Sequence, residues 1–137
     1  MQVKDVMCRN VKSVEDKDLV SKAARIMREN NIGALPVTSD GKIVGMITDR
    51  DIVLRCVAAG KTADNCFVSE AMSVGAAFVT PSQSLSDALA MMSGEQVHRL
   101  PVVDGLEVSG MISLSDIARF RQSDTEIARA ICEIAEP

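Results

Sequence analysis

Apolar residues in this chain take two alternating forms, runs of four to six and stripes at helical spacing, and their alternation predicts an α+β fold. Val11 to Val14 is short and apolar and reads as a brief strand. Leu19, Val20, Ala23, Ala24 and Met27 then lie on one helical face, with Asp18 as the expected N-cap and Asn30-Asn31 as the close. Ala34 to Thr38 and Ile43 to Ile47 are β-like runs separated by Ser39-Asp40-Gly41, which predicts a hairpin. Pro36 cannot donate to a ladder and belongs at a strand start or an edge. A helix from about Asp49 to Ala58 completes the order strand, helix, strand, strand, helix.

The same order returns 65 residues later. Aligning 3–55 with 68–120 needs no gap, and 14 of the 53 pairs are identical, including Leu35-Pro36-Val37 with Leu100-Pro101-Val102. The second copy predicts strands at Ala76 to Val79, Leu100 to Val103 and Val108 to Ile112, with Asp104-Gly105 as the turn. Its helices are a stripe through Leu85, Ala88, Leu89 and Met92, capped by Ser84 with Asp87 and closed at Gly94, and a segment from Ser115 to Arg121. Two fused copies of one supersecondary unit explain this pattern.

Ala59 to Asn65 is short, polar and glycine-containing, so it reads as the connection between copies. This assigns 1–59 to the first domain, 60–67 to a linker, 68–122 to the second domain and 123–137 to a C-terminal helix. Ser123 and Glu126 are expected to cap that helix, with Ile127, Ala130, Ile131 and Ile134 on one face. The stripe requires a partner, either the module itself or a second chain.

Composition narrows the function classes. A net charge of -4, no Trp or Tyr and only three Phe argue against nucleic acid, which needs clustered cations and stacking surfaces. No apolar stretch approaches the roughly 20 residues of a membrane span, and the start has no long apolar region of a secretory signal. The expectation is a soluble cytoplasmic protein. Cys8, Cys56, Cys66 and Cys132 have no CxxC spacing and read as reduced, mostly structural thiols. The eight methionines, Met27, Met46, Met91, Met92 and Met111 among them, read as core gap-fillers. The sole histidine, His98, reads as a partly exposed strand-edge residue.

The most specific local signal is a word that occurs twice, IVGMITDRDI at 43–52 and VSGMISLSDI at 108–117. It reduces to G-x-x-[TS]-x-x-D: Gly45, Thr48, Asp51 and Gly110, Ser113, Asp116. A glycine lets the strand lie close to a backbone or ligand. A hydroxyl at a helix start sits where unpaired N–H groups and the dipole favour a phosphate, and an aspartate one turn later can accept from a ribose diol. The same spacing is also a capping box, in which the two side chains only serve the helix. Asp49 and Asp51 point in different directions on a helix and make no acid-base pair. Neither a nucleophile, base and orienter grouping nor a phosphate-binding lysine loop is present.

Taken together, the VKDVM and VSEAM openings, NNIGALPV and EQVHRLPV, and GMITDRDI and GMISLSDI resemble a pair of CBS (cystathionine β-synthase) domains, the Bateman module. The resemblance covers about Val3 to Arg121. It implies two βαββα units packed through their sheets with pseudo-twofold symmetry, and adenine nucleotides held between them. It further implies one site at Ser13, Val14, Ala34, Pro36, Thr48, Arg50 and Asp51, and another at Val79, Thr80, Arg99, Pro101, Ser113 and Asp116. No catalytic or metal-ligating residue is assigned. The implied ligand is AMP, ADP or ATP, with S-adenosylmethionine behind them. The expected function is a non-catalytic sensor that forms a homodimer and signals to a separate effector protein. Arg99 aligns with Ala34 and Arg50 with Ser115, so the two sites are expected to differ in affinity. The rival readings are a structural or interaction module without nucleotide, and an enzyme using Cys8 or Cys66 with His98.

Overall fold

Val20, Ala23 and Met27 bury one face of helix α1 (Val20–Asn30) against a sheet that begins with β1 (Val14–Glu15). The computed structural model describes residues 1–120 and 125–135. Its first compact unit is Lys12–Ala76. The cap of α1 differs from expectation. Leu19 is the N-cap and offers no side-chain bond, while the Asp18 carboxylate accepts from the Glu15 N–H at 2.9 Å and pairs with Lys22 at 3.2 Å. Asn31 closes the helix in the left-handed region, its N–H donating to the Met27 carbonyl.

β2 (Ala34–Ser39) runs parallel to β1 and antiparallel to β3 (Lys42–Thr48), with Asp40 and Gly41 at positive φ in the connecting turn. β3 leads into α2 (Asp49–Ile52), which widens into a π-helical turn at Val53–Val57. A 3-10 turn (Ala63–Asn65) lies within the expected linker, followed by α3 (Val68–Ala71) and β4 (Ser73–Val74). β4 pairs antiparallel with β3, so the sheet order is β1-β2-β3-β4.

The second unit joins Met1–Val11 to Ala77–Pro137. Helix α4 (Leu85–Glu95) carries the expected capping box: Ser84 Oγ accepts from the Asp87 N–H at 3.0 Å, and Asp87 accepts from the Ser84 N–H at 3.4 Å. Gly94 lies within α4, and Gln96 takes the left-handed closing position at φ 55°. β5 (Arg99–Asp104) and β6 (Glu107–Ser113) form the hairpin, and Val79 bridges to Val102 in place of a full leading strand. α5 (Leu114–Phe120) and α6 (Thr125–Ala135) follow. α6 packs on α4 and α5, burying Ile127, Ala130 and Ile134, so the module itself covers the stripe. Ile131 is 49% exposed and does not belong to that face. Arg121, Ser123 and the assigned boundary at 122–123 lie outside the described residues.

The compact units are offset from the sequence copies. Val3, which aligns with Val68, is fully buried in the core built on the second hairpin, and Val68 is fully buried in the core built on the first. Cys8 pairs with Met111, and Ser73, its aligned counterpart, pairs with Met46. Each hairpin is thus flanked by the opening segment of the other copy.

Candidate functional site

Strand register gathers the residues of the repeated word with those of the neighbouring strands. In the first unit Ala34 is opposite Thr48 across β2 and β3, and Pro36 is opposite Met46. The parallel pairing of Val14 with Val37 sets Ser13 beside the start of β2, one strand spacing (about 4.8 Å) from it. Ala34 and Thr48 are thus neighbours at one end of the sheet, with Asp51 three residues beyond Thr48 and Ser13 level with Pro36, while Val14 is buried in the core with Leu35 and Val37. In the second unit Arg99 is opposite Ser113 and Pro101 opposite Met111, while Val79 donates to the Pro101 carbonyl at 3.1 Å. Thr80 follows Val79 towards the level of Val103, away from the Arg99–Ser113 end, its N–H donating to Gln83 Oε1 at 2.8 Å.

Both words form complete capping boxes. Thr48 Oγ1 accepts from the Asp51 N–H at 3.0 Å, and Asp51 Oδ2 accepts from the Thr48 N–H at 2.9 Å. Ser113 Oγ accepts from the Asp116 N–H at 3.1 Å, and Asp116 Oδ2 accepts from the Ser113 N–H at 3.0 Å. One oxygen of each carboxylate is committed to the backbone. Because an ionised carboxylate has about four acceptor positions, capacity remains on Oδ1 in both units. The helical segments that follow are short, Asp49–Ile52 continued by the π-helical turn Val53–Val57 in the first unit and Leu114–Phe120 in the second, so the dipole invoked from sequence is that of about two turns.

The copies differ in what else touches Oδ1. The Ser73 hydroxyl donates to Asp51 Oδ1 at 3.3 Å, whereas the Arg119 guanidinium donates to Asp116 Oδ1 in a close ion pair. Neither partner was singled out from sequence. Arg119 is at i+3 from Asp116, a spacing at which helical side chains meet, so it was legible. Ser73 reaches Asp51 only because β4 pairs with β3, and no local pattern announces that. Arg50 is exposed on the first turn of α2, and Arg99 is half-buried at the start of β5.

The glycines of the word serve a backbone. A Cβ on Gly45 would stand 2.4 Å from the Ser73 carbonyl oxygen, and one on Gly110 would stand 2.9 Å from that of Cys8. Cys56 and Cys66 are fully buried, while Cys8 and Cys132 are exposed. Burial pushes the Cys66 thiol pKa up, and its contact with Cys56 adds to the shift, opposite to the activation a nucleophile needs. Cys66 and the exposed His98 belong to different compact units. Among the described residues no group of three His, Cys, Asp or Glu side chains could hold a metal ion, and no helix is long and apolar enough to cross a membrane. An open groove of about 380 Å³ between α4 and α6 is lined by Ser86, Leu89, Ser93 and Arg129 among others, apart from the repeated word.

Comparison with known proteins assigns both sequence copies to one family. The CBS domain family model fits residues 3–57 and 68–123. The chain is 38% identical over 133 residues to the CBS domain-containing protein YhcV of Bacillus subtilis, covering 97% of this chain and 94% of that one. It is 33% identical over 132 residues to Hypoxic response protein 1 of Mycobacterium tuberculosis, covering 94% and 92%. A crystal structure of Hypoxic Response Protein I with two coordinated zinc ions superposes at a TM-score of 0.81, with 34% identity, covering 87% of this chain and 98% of that one. The CBS domain pair of protein MJ0100, solved in complex with 5-methylthioadenosine and S-adenosyl-L-methionine, superposes at 0.79 with 27% identity, covering 89% and 96%.

Proposed function

The chain belongs to the CBS domain family, and from that premise we propose that it is a non-catalytic sensor module that binds an adenosine-containing ligand through Asp51 and Asp116. The observation that carries this reading is the duplicated carboxylate. In each unit the capping box fixes one oxygen and leaves acceptor capacity on the other, at the sheet end where the strand starts also lie. A ribose diol is a matching donor pair. The base would lie against Ser13, Val14, Ala34 and Pro36 in the first unit, and against Val79, Thr80 and Pro101 in the second. Thr48 with Arg50, and Ser113 with Arg99, would approach the phosphates of AMP, ADP or ATP. The adenosyl ligands held by the MJ0100 pair support the adenosine part of this reading.

Signalling would follow from linkage. A ligand that binds one arrangement of the module better than another shifts the population, and an effector protein that reads the arrangement responds by the same coupling. A homodimer in the cytoplasm is the proposed form. The buried, pKa-raised thiol of Cys66 speaks against thiol catalysis.

A second reading is favoured by the completeness of the capping boxes: the word would serve only to start α2 and α5, and the module would act as an interaction scaffold. A thermal-shift panel of AMP, ADP, ATP and S-adenosylmethionine separates the two. We expect at least one of them to raise the melting temperature of the parent, with the rise reduced in Asp51→Ala and in Asp116→Ala, each measured against its own ligand-free value. Absence of any shift in the parent overturns the sensor reading.

A further inference from the structure

We propose that Arg119 makes the site of the second unit selective for phosphorylated over unphosphorylated adenosine ligands. This inference rests on the sensor reading above and deepens it. In the first unit Asp51 Oδ1 is shared with a neutral hydroxyl, that of Ser73, at 3.3 Å. A hydroxyl rotates, so a ligand diol can take its place without stranding a charge. In the second unit the residue at the same strand position is Cys8, a weak donor whose thiol lies 3.9 Å from the Asn10 carbonyl instead. Asp116 Oδ1 receives the Arg119 guanidinium, and the residue aligned with Arg119 in the first unit is Leu54.

The chemistry of that exchange decides the selectivity. The Arg119 side chain is 69% exposed, and an ion pair so open to water is weak enough to be traded. A ribose that donates to Asp116 must share Oδ1 with the guanidinium or replace it there. The guanidinium then stands beside the sugar with a rigid fork of donors, a geometry that fits a phosphate bidentately. Arg99, opposite Ser113 in the strand register, adds a second cation at the same edge. A neutral nucleoside displaces the ion pair and offers the guanidinium nothing in return. The first unit has Leu54 and Ala34 at the two aligned positions, and its candidate cation is Arg50 alone.

Titration calorimetry with AMP and with adenosine tests this in an Asp51→Ala background, where the second unit is read by itself. Arg119→Leu should weaken AMP about tenfold, the size of one lost charge-assisted contact, and leave adenosine unchanged or slightly tighter. Leu54→Arg in an Asp116→Ala background should raise the ratio of AMP to adenosine affinity in the first unit. Ligand-free melting temperatures of all variants identify any loss of fold. If Arg119→Leu weakens both ligands equally, or leaves AMP unchanged while both bind, the selectivity role is overturned and the sensor reading stands. If neither ligand binds the parent and the nucleotide panel also produces no shift, both fall together.

Discussion

At the scale of single residues, the repeated word divides its labour in a way that spacing alone leaves open. Thr48, Ser113 and the two aspartates hold their helices by mutual bonds near 3 Å, so capping is real in both copies and the proposed ligand contact would be an added duty. The glycines have a different task, since each faces the carbonyl of a strand partner from the other copy's opening segment. Gly45→Ala should cost about 1–3 kcal/mol, because its Cβ would meet the Ser73 backbone oxygen at 2.4 Å and a backbone atom cannot step aside. Gly110→Ala should cost less: its nearest neighbour is the flexible Met7 thioether at 2.6 Å, and the Cys8 carbonyl is at 2.9 Å. Gly94→Ala should stabilise by about 0.5–1 kcal/mol, since the position lies within α4 with nothing near its Cβ. Urea unfolding of the three variants gives the order directly.

At the scale of elements, hydrophobic periodicity located the long helices, both hairpins and the C-terminal helix, because each has a stripe or alternation of its own. It left out α3 and β4, four and two residues long, whose existence depends on docking rather than on any local pattern. It also extended the leading strands: Val11 to Val14 reduces to Val14–Glu15, and Ala76 to Val79 to a single bridge. In α6 the stripe was one residue too wide. Ile127 is 6% exposed and reaches the core with Ala130 and Ile134, while Ile131, only three residues before Ile134, turns outward. Ile127→Ala should therefore cost about 2–4 kcal/mol, from lost burial and the cavity left behind. Ile131→Ala should stay within about 0.5 kcal/mol. Equal losses in thermal or urea unfolding would mean that α6 docks by a different face.

At the scale of the whole molecule, the gapless repeat disclosed two units and pointed to two candidate sites, yet not which chain segments close each unit. Sequence similarity reports common descent of the copies, whereas compactness reports which apolar side chains share a core, and here the two differ by the opening segment. Val68 and Ala71 are buried among Val20, Ala23, Leu35 and Ile47 of the first copy, while Val3 and Met7 are buried among Leu89, Met92, Leu100 and Ile112 of the second. The candidate site residues follow the compact units: Ser13 to Asp51 fall within Lys12–Ala76, and Val79 to Asp116 within Ala77–Pro137. A fragment cut at the sequence boundary, 1–65, contains the first copy without Cys66, Val68, Ala71 and β4, and it carries Val3 with no core to enter. A fragment 12–76 contains every buried residue of the first core. Expressed separately, 12–76 should show dispersed amide resonances and a cooperative melt, and 1–65 should show neither. The fragments also bear on the site, because only 12–76 retains the Ser73 hydroxyl on Asp51. An equally well folded 1–65 would show that the opening segments are dispensable to the cores they enter, and that the boundary of folding is the boundary of the repeat.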